Sequence, residues 1–364
     1  NIKRLFIYIC FDNYTSMKKI ILSLFFFSSF QLTNAQNTFQ IAFETTNLSS
    51  KKNFRIPLED NKGNKAELPI SIIKGGKTGP VFTILAGVHG YEYPPIISTQ
   101  AIMQEINPKE LSGTLVIIPI ANKGSFFGRT PYINPMDDKN LNKTFPGNPE
   151  GSITEQIAHF ITKNIIDVTD IFLDIHGGDS PEDLIPFVCY YNNEQNPEQT
   201  ALAKKLSEKS GFDHVVSYSY TLKDSDPAKY AFKQAVQDGK TALSIESGKL
   251  GFVHQENVTL IKKGVYNMLA SLNMYGKSTE PLHNVKHFNS QSYVSANFSG
   301  IFYSDYAAGD SVQKGAIVGY TTDEFGKIIE KHYASIEGII LYMLATPPIN
   351  KGDTVMCIST FIEK

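Results

Sequence analysis

The sequence predicts a layered α/β protein built on a mixed, largely parallel sheet, followed by a small all-β domain. Three observations carry this prediction. Four runs, 81–88, 114–121, 171–175 and 241–245, are predominantly apolar, as strands covered on both faces must be. Segments with helical spacing, 95–106, 154–166, 198–209, 229–237 and 256–272, alternate with them, which is the pattern of strands joined by crossover helices. After Tyr275 the texture changes to short strands and turns through Lys364.

The elements follow in order. Met17 opens a stretch with two lysines, an apolar run from Ile20 to Phe27 and then Thr33-Asn34-Ala35, which reads as a secretory signal peptide over 17–35, cut after Ala35. The apolar run is about half of the ~20 residues that a spanning helix needs, so no stable membrane insertion is expected. Residues 1–16 read as a non-native upstream extension, and the mature protein is expected in the periplasm or secreted. From Thr38 to Leu68 the pattern alternates around Asp60-Asn61-Lys62-Gly63, a turn between two strands. Pro94 and Pro95 suit the first turn of the helix that follows the first buried strand. The α/β domain is drawn over 36–284 and the β domain over 285–364. In the latter, Gly300-Ile301 followed by Gly309-Asp310-Ser311-Val312 is echoed by Gly338-Ile339 followed by Gly352-Asp353-Thr354-Val355, suggesting a small barrel or sandwich of two similar halves.

Composition excludes several classes. With 41% hydrophobic residues in 364, the chain can bury a large core. Thirty-four basic against 36 acidic residues give a net charge of -2, so no basic field collects nucleic acid, and a small-molecule partner is expected. Self-association is left open. Cys10, Cys189 and Cys357 have neither zinc-ribbon nor redox spacing, and Cys189, in an apolar run, reads as a buried inert thiol.

Chemistry gathers at the carboxyl ends of the buried strands, where open α/β sheets place ligands. The first ends in Gly87-Val88-His89-Gly90-Tyr91-Glu92 and the third in Leu173-Asp174-Ile175-His176-Gly177-Gly178. His89, Glu92 and His176 make two imidazoles and one carboxylate, the ligand set of an open catalytic zinc site. Asp174 lies on the same strand face as His176 by the period of two, so it can orient that ring from behind. The fourth strand ends in Glu246-Ser247-Gly248. Amide hydrolysis needs a group that takes a proton from water and returns it to the leaving nitrogen, and Glu246 is assigned that role. His159, His214, His254, His283, His287 and His332 fall outside this convergence and read as surface or capping imidazoles.

The second strand leads to Arg129 and then to Asn140-Leu141-Asn142-Lys143-Thr144-Phe145-Pro146-Gly147. With GVHGYE, DIHGG and ESG around it, from about Val81 to Gly248, the chain resembles the succinylglutamate desuccinylase and aspartoacylase family of zinc deacylases, relatives of the zinc carboxypeptidases. The resemblance implies a three-layer carboxypeptidase-like sandwich, Zn2+ on His89, Glu92 and His176, and Glu246 as general base. It also implies Arg129 polarising the scissile carbonyl, and Asn142 with position 143 on a substrate carboxylate. Lys143 departs from the family's usual arginine: it keeps the charge and loses the planar fork that clamps a carboxylate through two bonds. The expected function is an exported zinc deacylase of an N-acyl amino acid or related N-acyl amine. A metallocarboxypeptidase, or a non-catalytic envelope-associated binding protein of the same fold, is the alternative. A complete ligand set together with Glu246 separates the enzymes from the binding protein.

Overall fold

The computed structural model describes residues 35–276 and 285–361. The upstream extension, nearly all of the signal segment, His283 and Cys10 lie outside the described residues. The first element is helix α1 (35–45), which corrects the expectation of β structure from Thr38. Its reason is periodic: Ala35, Phe39 and Ala42 recur at helical spacing and pack into the main core. Strands β1 (Ser50–Glu59) and β2 (Lys65–Lys74) then form the expected hairpin. Its turn is closed by the Asp60 carboxylate, which accepts the backbone N–H groups of Lys62 and Asn64, each at 2.9 Å, and that of Ile153 at 3.2 Å.

The alternating part follows as β3 (Lys77–Ala86), α2 (Tyr93–Glu105), β4 (Ser112–Ile118), α3 (Lys123–Gly128) and a short hairpin of β5 (Ile133–Asn134) and β6 (Lys139–Asn140). Next come α4 (Ile153–Phe160), continued by a π-helical turn Ile161–Ile166, then β7 (Ile171–His176), β8 (Glu182–Leu184), β9 (Phe187–Asn192) and α5 (Pro197–Lys209). The part ends with β10 (His214–Ser219), α6 (Ala231–Gln237), β11 (Thr241–Glu246) and α7 (Gln255–Ser271). His214, outside the strands expected from the sequence, opens β10, where Val215 and Val216 pair with Val188 and Cys189 of β9.

Strands β4, β3, β7 and β11 lie side by side and parallel, with β9 antiparallel beyond β11 and β1–β2 antiparallel beyond β4. Every residue of β7 is buried. Helices α2, α5 and α7 cover one face through Ile102, Leu206 and Ile261, while α4 and α6 cover the other through Phe160 and Phe232. This is the three-layer sandwich with a mixed, largely parallel sheet that the sequence predicts. Among the described residues no helix is long and apolar enough to cross a membrane.

The β-rich tail comprises β12 (Lys286–Ser295), β13 (Gly300–Tyr303), β14 (Ser311–Val312), β15 (Ile317–Thr322), β16 (Ile328–Tyr333), β17 (Gly338–Leu344), β18 (Pro348–Ile349) and β19 (Thr354–Phe361). Its two echoing halves exchange strands: β13 pairs with β18, and β14 with β17. Strand β12 runs parallel to β10, so β12, β19, β17 and β14 prolong the main sheet, while β16, β15, β13 and β18 form a second, four-stranded one. Val318, Ile340 and Val355 are among the residues of a small core of the tail's own. Strand β8 pairs with β17, which ties the loop after His176 to the tail.

Candidate active site

The parallel pairing of β3, β7 and β11 brings their carboxyl ends together, and the side chains follow from the loops that leave them. Past β3 the chain turns at Gly87 and delivers His89 before α2 begins. Glu92 is the N-cap residue of α2, but its side chain makes no capping bond. Pro94 and Pro95, at the second and third helical positions, lack N–H groups, so both donors that a capping carboxylate normally satisfies are missing, and the Glu92 carboxylate turns elsewhere. It bridges two imidazoles: Nδ1 of His89 lies 2.6 Å from Oε1 and Nδ1 of His176 lies 3.1 Å from Oε2. Burial pushes the Glu92 carboxyl up, but the positive charge and hydrogen bonds of the two histidines outweigh it and hold the group at about 2.

The far nitrogens are also engaged. His176 Nε2 lies 3.1 Å from Oδ1 of Asp174, off hydrogen-bonding alignment, and Asp174 is completely buried. Burial drives His176 down, and the Asp174 and Glu92 charges more than reverse this, raising it well above the usual histidine range. His89 Nε2 lies 3.2 Å from Oδ1 of Asn140, an oxygen that also accepts the Asn142 N–H at 2.8 Å. Asn140 therefore fixes the His89 ring and the Asn142 turn at once. It stands in the quoted NLNKTFPG motif, yet a polar residue at a strand end carries no sequence signal that singles it out.

Glu246 pairs in register with His176 across β11 and β7, so both side chains leave the same face of the sheet. Ser244 Oγ approaches it at 3.5 Å. Burial, then the negative charges of Glu92 and Asp174, push its carboxyl up to about 8, against the opposing pull of His176. The loop after His176 adds two further carboxyls. Asp179 is pushed up to about 7 by burial and by Glu92, and Glu182 is raised well above its usual range by burial and by Asp179, Glu246 and Glu92. Tyr132 meets His89 edge-on, with ring centroids 5.5 Å apart.

Two glycines set how closely the loops approach. A Cβ on Gly90 would lie 2.4 Å from the carbonyl oxygen of Thr130, so the loop carrying Arg129 rests directly on the loop carrying His89 and Glu92. A Cβ on Gly177 would lie 2.4 Å from the carbonyl oxygen of Ser247, which locks the ends of β7 and β11 together. Arg129 itself caps α3 in the left-handed region at φ 52° and is exposed at the rim, near the Tyr93 hydroxyl. Asn142 is half-buried, with Oδ1 buried and without a partner, and Lys143 is exposed. The structure thus brings His89, Glu92, His176, Asp174 and Glu246 into one cluster and sets Arg129, Asn142 and Lys143 on the loops around it. His159, His254, His287 and His332 stand on α4, at the start of α7, on β12 and on β16, and Cys189 and Cys357 are buried.

His89, Glu92 and His176 offer ligand atoms all within 4.8 Å of one another. Two imidazole nitrogens and one carboxylate oxygen converging in a buried site fit a divalent transition metal, zinc above all.

An α/β sandwich with this cluster at the carboxyl edge of its sheet has the fold of known deacylases. It is similar to a succinylglutamate desuccinylase/aspartoacylase from Rhodobacter sphaeroides, with a TM-score of 0.77 at 22% identity over 88% of this chain and 98% of that one. It is similar too to the product-bound ectoine utilization protein EutE (DoeB) from Ruegeria pomeroyi, with a TM-score of 0.76 at 21% identity over 87% and 98%. Residues 78–272, more than half the chain, match the succinylglutamate desuccinylase/aspartoacylase catalytic domain, and the chain belongs to that family. A further relative is the N-alpha-acetyl-L-2,4-diaminobutyric acid deacetylase of Halomonas elongata, 27% identical over 304 residues, which cover 81% of this chain and 86% of the relative. Members of the family are amide deacylases.

Proposed function

We propose that this protein is an exported zinc-dependent deacylase that hydrolyses the amide of an N-acyl amino acid or a related N-acyl amine. The observation that carries the reading is the convergence of Nδ1 of His89, Nδ1 of His176 and the Glu92 carboxylate, with Glu246 in register beside them. His89, Glu92 and His176 would hold the zinc, which would supply a water of lowered pKa and a Lewis acid for the carbonyl.

The remaining chemistry belongs to the chain. Glu246 takes the proton of the attacking water and returns it to the leaving nitrogen. A single carboxyl can do both, accepting the proton as the carboxylate and donating it as the acid. Asp174 behind His176 and Asn140 behind His89 turn both Nδ1 atoms toward Glu92. Arg129 stabilises the oxygen on which charge develops, and Asn142 and Lys143 hold the substrate carboxylate. The 17–35 segment directs export, and cleavage after Ala35 leaves α1 to begin at Gln36. The 36–284 segment carries the chemistry, and 285–364 is a β domain stitched to it through β12.

Metal analysis of the purified protein and amide hydrolysis across a panel of N-acetyl amino acids, with and without chelator, test the reading. Stoichiometric zinc and chelator-sensitive release of the amino acid are expected. A zinc-loaded protein that hydrolyses none of the panel would leave it a binding protein. Amino-terminal sequencing of the mature, exported form should begin at Gln36.

A further inference from the structure

Aromatic rings form an arc beside the metal cluster. Tyr132, edge-on to His89, is 41% exposed, so an aromatic surface begins at the cluster itself and opens to solvent. In the same loop region, Phe127 of α3 meets Phe126 edge-on at 5.0 Å, Phe126 meets Tyr93 at 6.0 Å, and Tyr93 meets Tyr91 at 5.7 Å. A Cβ on Gly251 would lie 2.9 Å from the Tyr91 ring, which brings Phe252 to the end of the arc. Phe127 is 69% and Phe252 64% exposed. A single exposed ring is ordinary on a protein surface, whereas a contiguous run of them marks a place where something binds. The lysines of these loops are committed elsewhere: Lys123 pairs with Glu67 and Lys249 with Asp183, each at 3.0 Å.

The arc and the residues assigned to the substrate carboxylate stand on opposite faces of the sheet. Tyr91 and Tyr93 lead into α2, Phe252 stands just before α7, and a Cβ on Gly248 would lie 2.9 Å from the Pro94 ring. This side belongs to the layer of α2 and α7. Asn142 and Lys143 belong to the other layer: just beyond them Phe145 pairs with Lys229 ahead of α6, and Gly147 packs on the backbone of His159 in α4. The scissile bond joins the acyl carbon to the amine nitrogen, so the two parts of a substrate leave the cluster in different directions. With the carboxylate toward Lys143, the acyl chain is left the aromatic side. Arg129, near the Tyr93 hydroxyl, stands where the two directions meet.

Resting on the deacylase reading, we infer that the acyl group is an apolar chain longer than acetyl, laid from the cluster across the rings between Phe127 and Phe252. The substrate class is then an N-acyl amino acid with a medium-length fatty acyl group. Complete burial of a methylene corresponds to about fourfold in affinity, and a chain on an open surface is covered on one side only, so about twofold per methylene applies.

The test uses the zinc-loaded full chain with N-octanoyl-L-alanine and N-acetyl-L-alanine. A kcat/KM ratio of roughly 10- to 100-fold in favour of the octanoyl compound is expected. Phe127→Ser and Phe252→Ser, both at exposed positions, should each reduce that ratio about threefold and together about tenfold, chiefly through KM. Calorimetric titration with octanoate and acetate reads the same preference without turnover. Failure of hydrolysis with that binding preference intact therefore overturns the deacylase reading alone. A wild-type ratio near one in both assays overturns the acyl arc. A preference that follows the amino acid instead, for N-acetyl-L-2-aminooctanoate over N-acetyl-L-alanine with none for the acyl chain, overturns the direction assigned to it. Light scattering completes the test: a double variant that turns a dimer into a monomer and leaves the ratio unchanged makes the arc an interface between two copies of the chain, which also overturns the inference.

Discussion

Replacing Gly177 by alanine adds one methyl group where β7 and β11 are pinned together. The backbone of Gly177 is outside the left-handed region, so alanine is acceptable there conformationally and the penalty is purely one of space. The new Cβ would lie 2.4 Å from the Ser247 carbonyl oxygen and 3.0 Å from its carbon, where ordinary contact begins at 3.4 Å. Relief requires the two strand ends to part by about 1 Å, because the obstructing atoms are backbone and cannot rotate away. The neighbouring bond from the Ser247 N–H to the His176 carbonyl, at 2.9 Å, resists that parting. Overpacking of this kind costs about 1–3 kcal/mol of stability. A misplacement of about 1 Å between His176 and Glu246 costs on the order of 10²-fold in rate. Thermal unfolding, zinc content and kcat/KM on the best N-acetyl substrate measure these effects. A Gly177→Ala protein with the wild-type melting temperature and kcat/KM within about threefold of wild type would refute the argument that the close approach of these loops sets the site geometry.

Four further outcomes are expected. Glu246→Gln keeps shape and zinc but cannot carry a proton, so turnover should fall by roughly 10²- to 10⁴-fold; stoichiometric zinc with activity within about threefold of wild type would move the base elsewhere. His176→Ala removes one of three ligands, and dialysed protein should lose most of its zinc by elemental analysis; full retention would take His176 out of the site. Lys143→Ala should raise KM more for N-acetyl amino acids than for N-acetyl amines lacking the α-carboxylate, whereas an equal rise for both would make Lys143 a general structural charge. Asp60 is subject to burial, which raises its pKa, but the hydrogen bonds from Asn64, Lys62 and Ile153 prevail and hold it below the usual carboxylate range. A depressed folded-state pKa means that its contribution is present above the ordinary carboxylate range and is lost as pH falls through the folded value. Asp60→Ala should therefore lower stability by about 1–3 kcal/mol at pH 7, and the gap to wild type in denaturant titrations should narrow below about pH 4; a gap that is constant with pH would discount the ionised carboxylate.

The sequence by itself determined the elements whose reasons are local. Strands apolar on both faces, prolines in the first turn of α2, and His89, Glu92, His176 and Glu246 at strand ends are all legible, because parallel sheets gather ligands at their carboxyl edge whatever the loops do. Asp174 was legible from the strand period alone. Other features depended on tertiary structure, since their causes are distant in the chain. In residues 35–45 the helical spacing of Ala35, Phe39 and Ala42 is too short a run to stand out in the sequence, and docking of Phe39 on Phe160 and Phe54 supplies the rest. The echo in the tail correctly marked paired strands, but only the alignment of β12 with β10 decided that half of the tail would prolong the main sheet. Asn140, Asp179 and Glu182 sit in turns where polar residues are ordinary, and nothing in their spacing distinguishes them from solvated loop residues. Folding makes them distinct, by placing Asn140 against His89 and by setting Asp179 and Glu182 close enough to Glu92 to feel its charge.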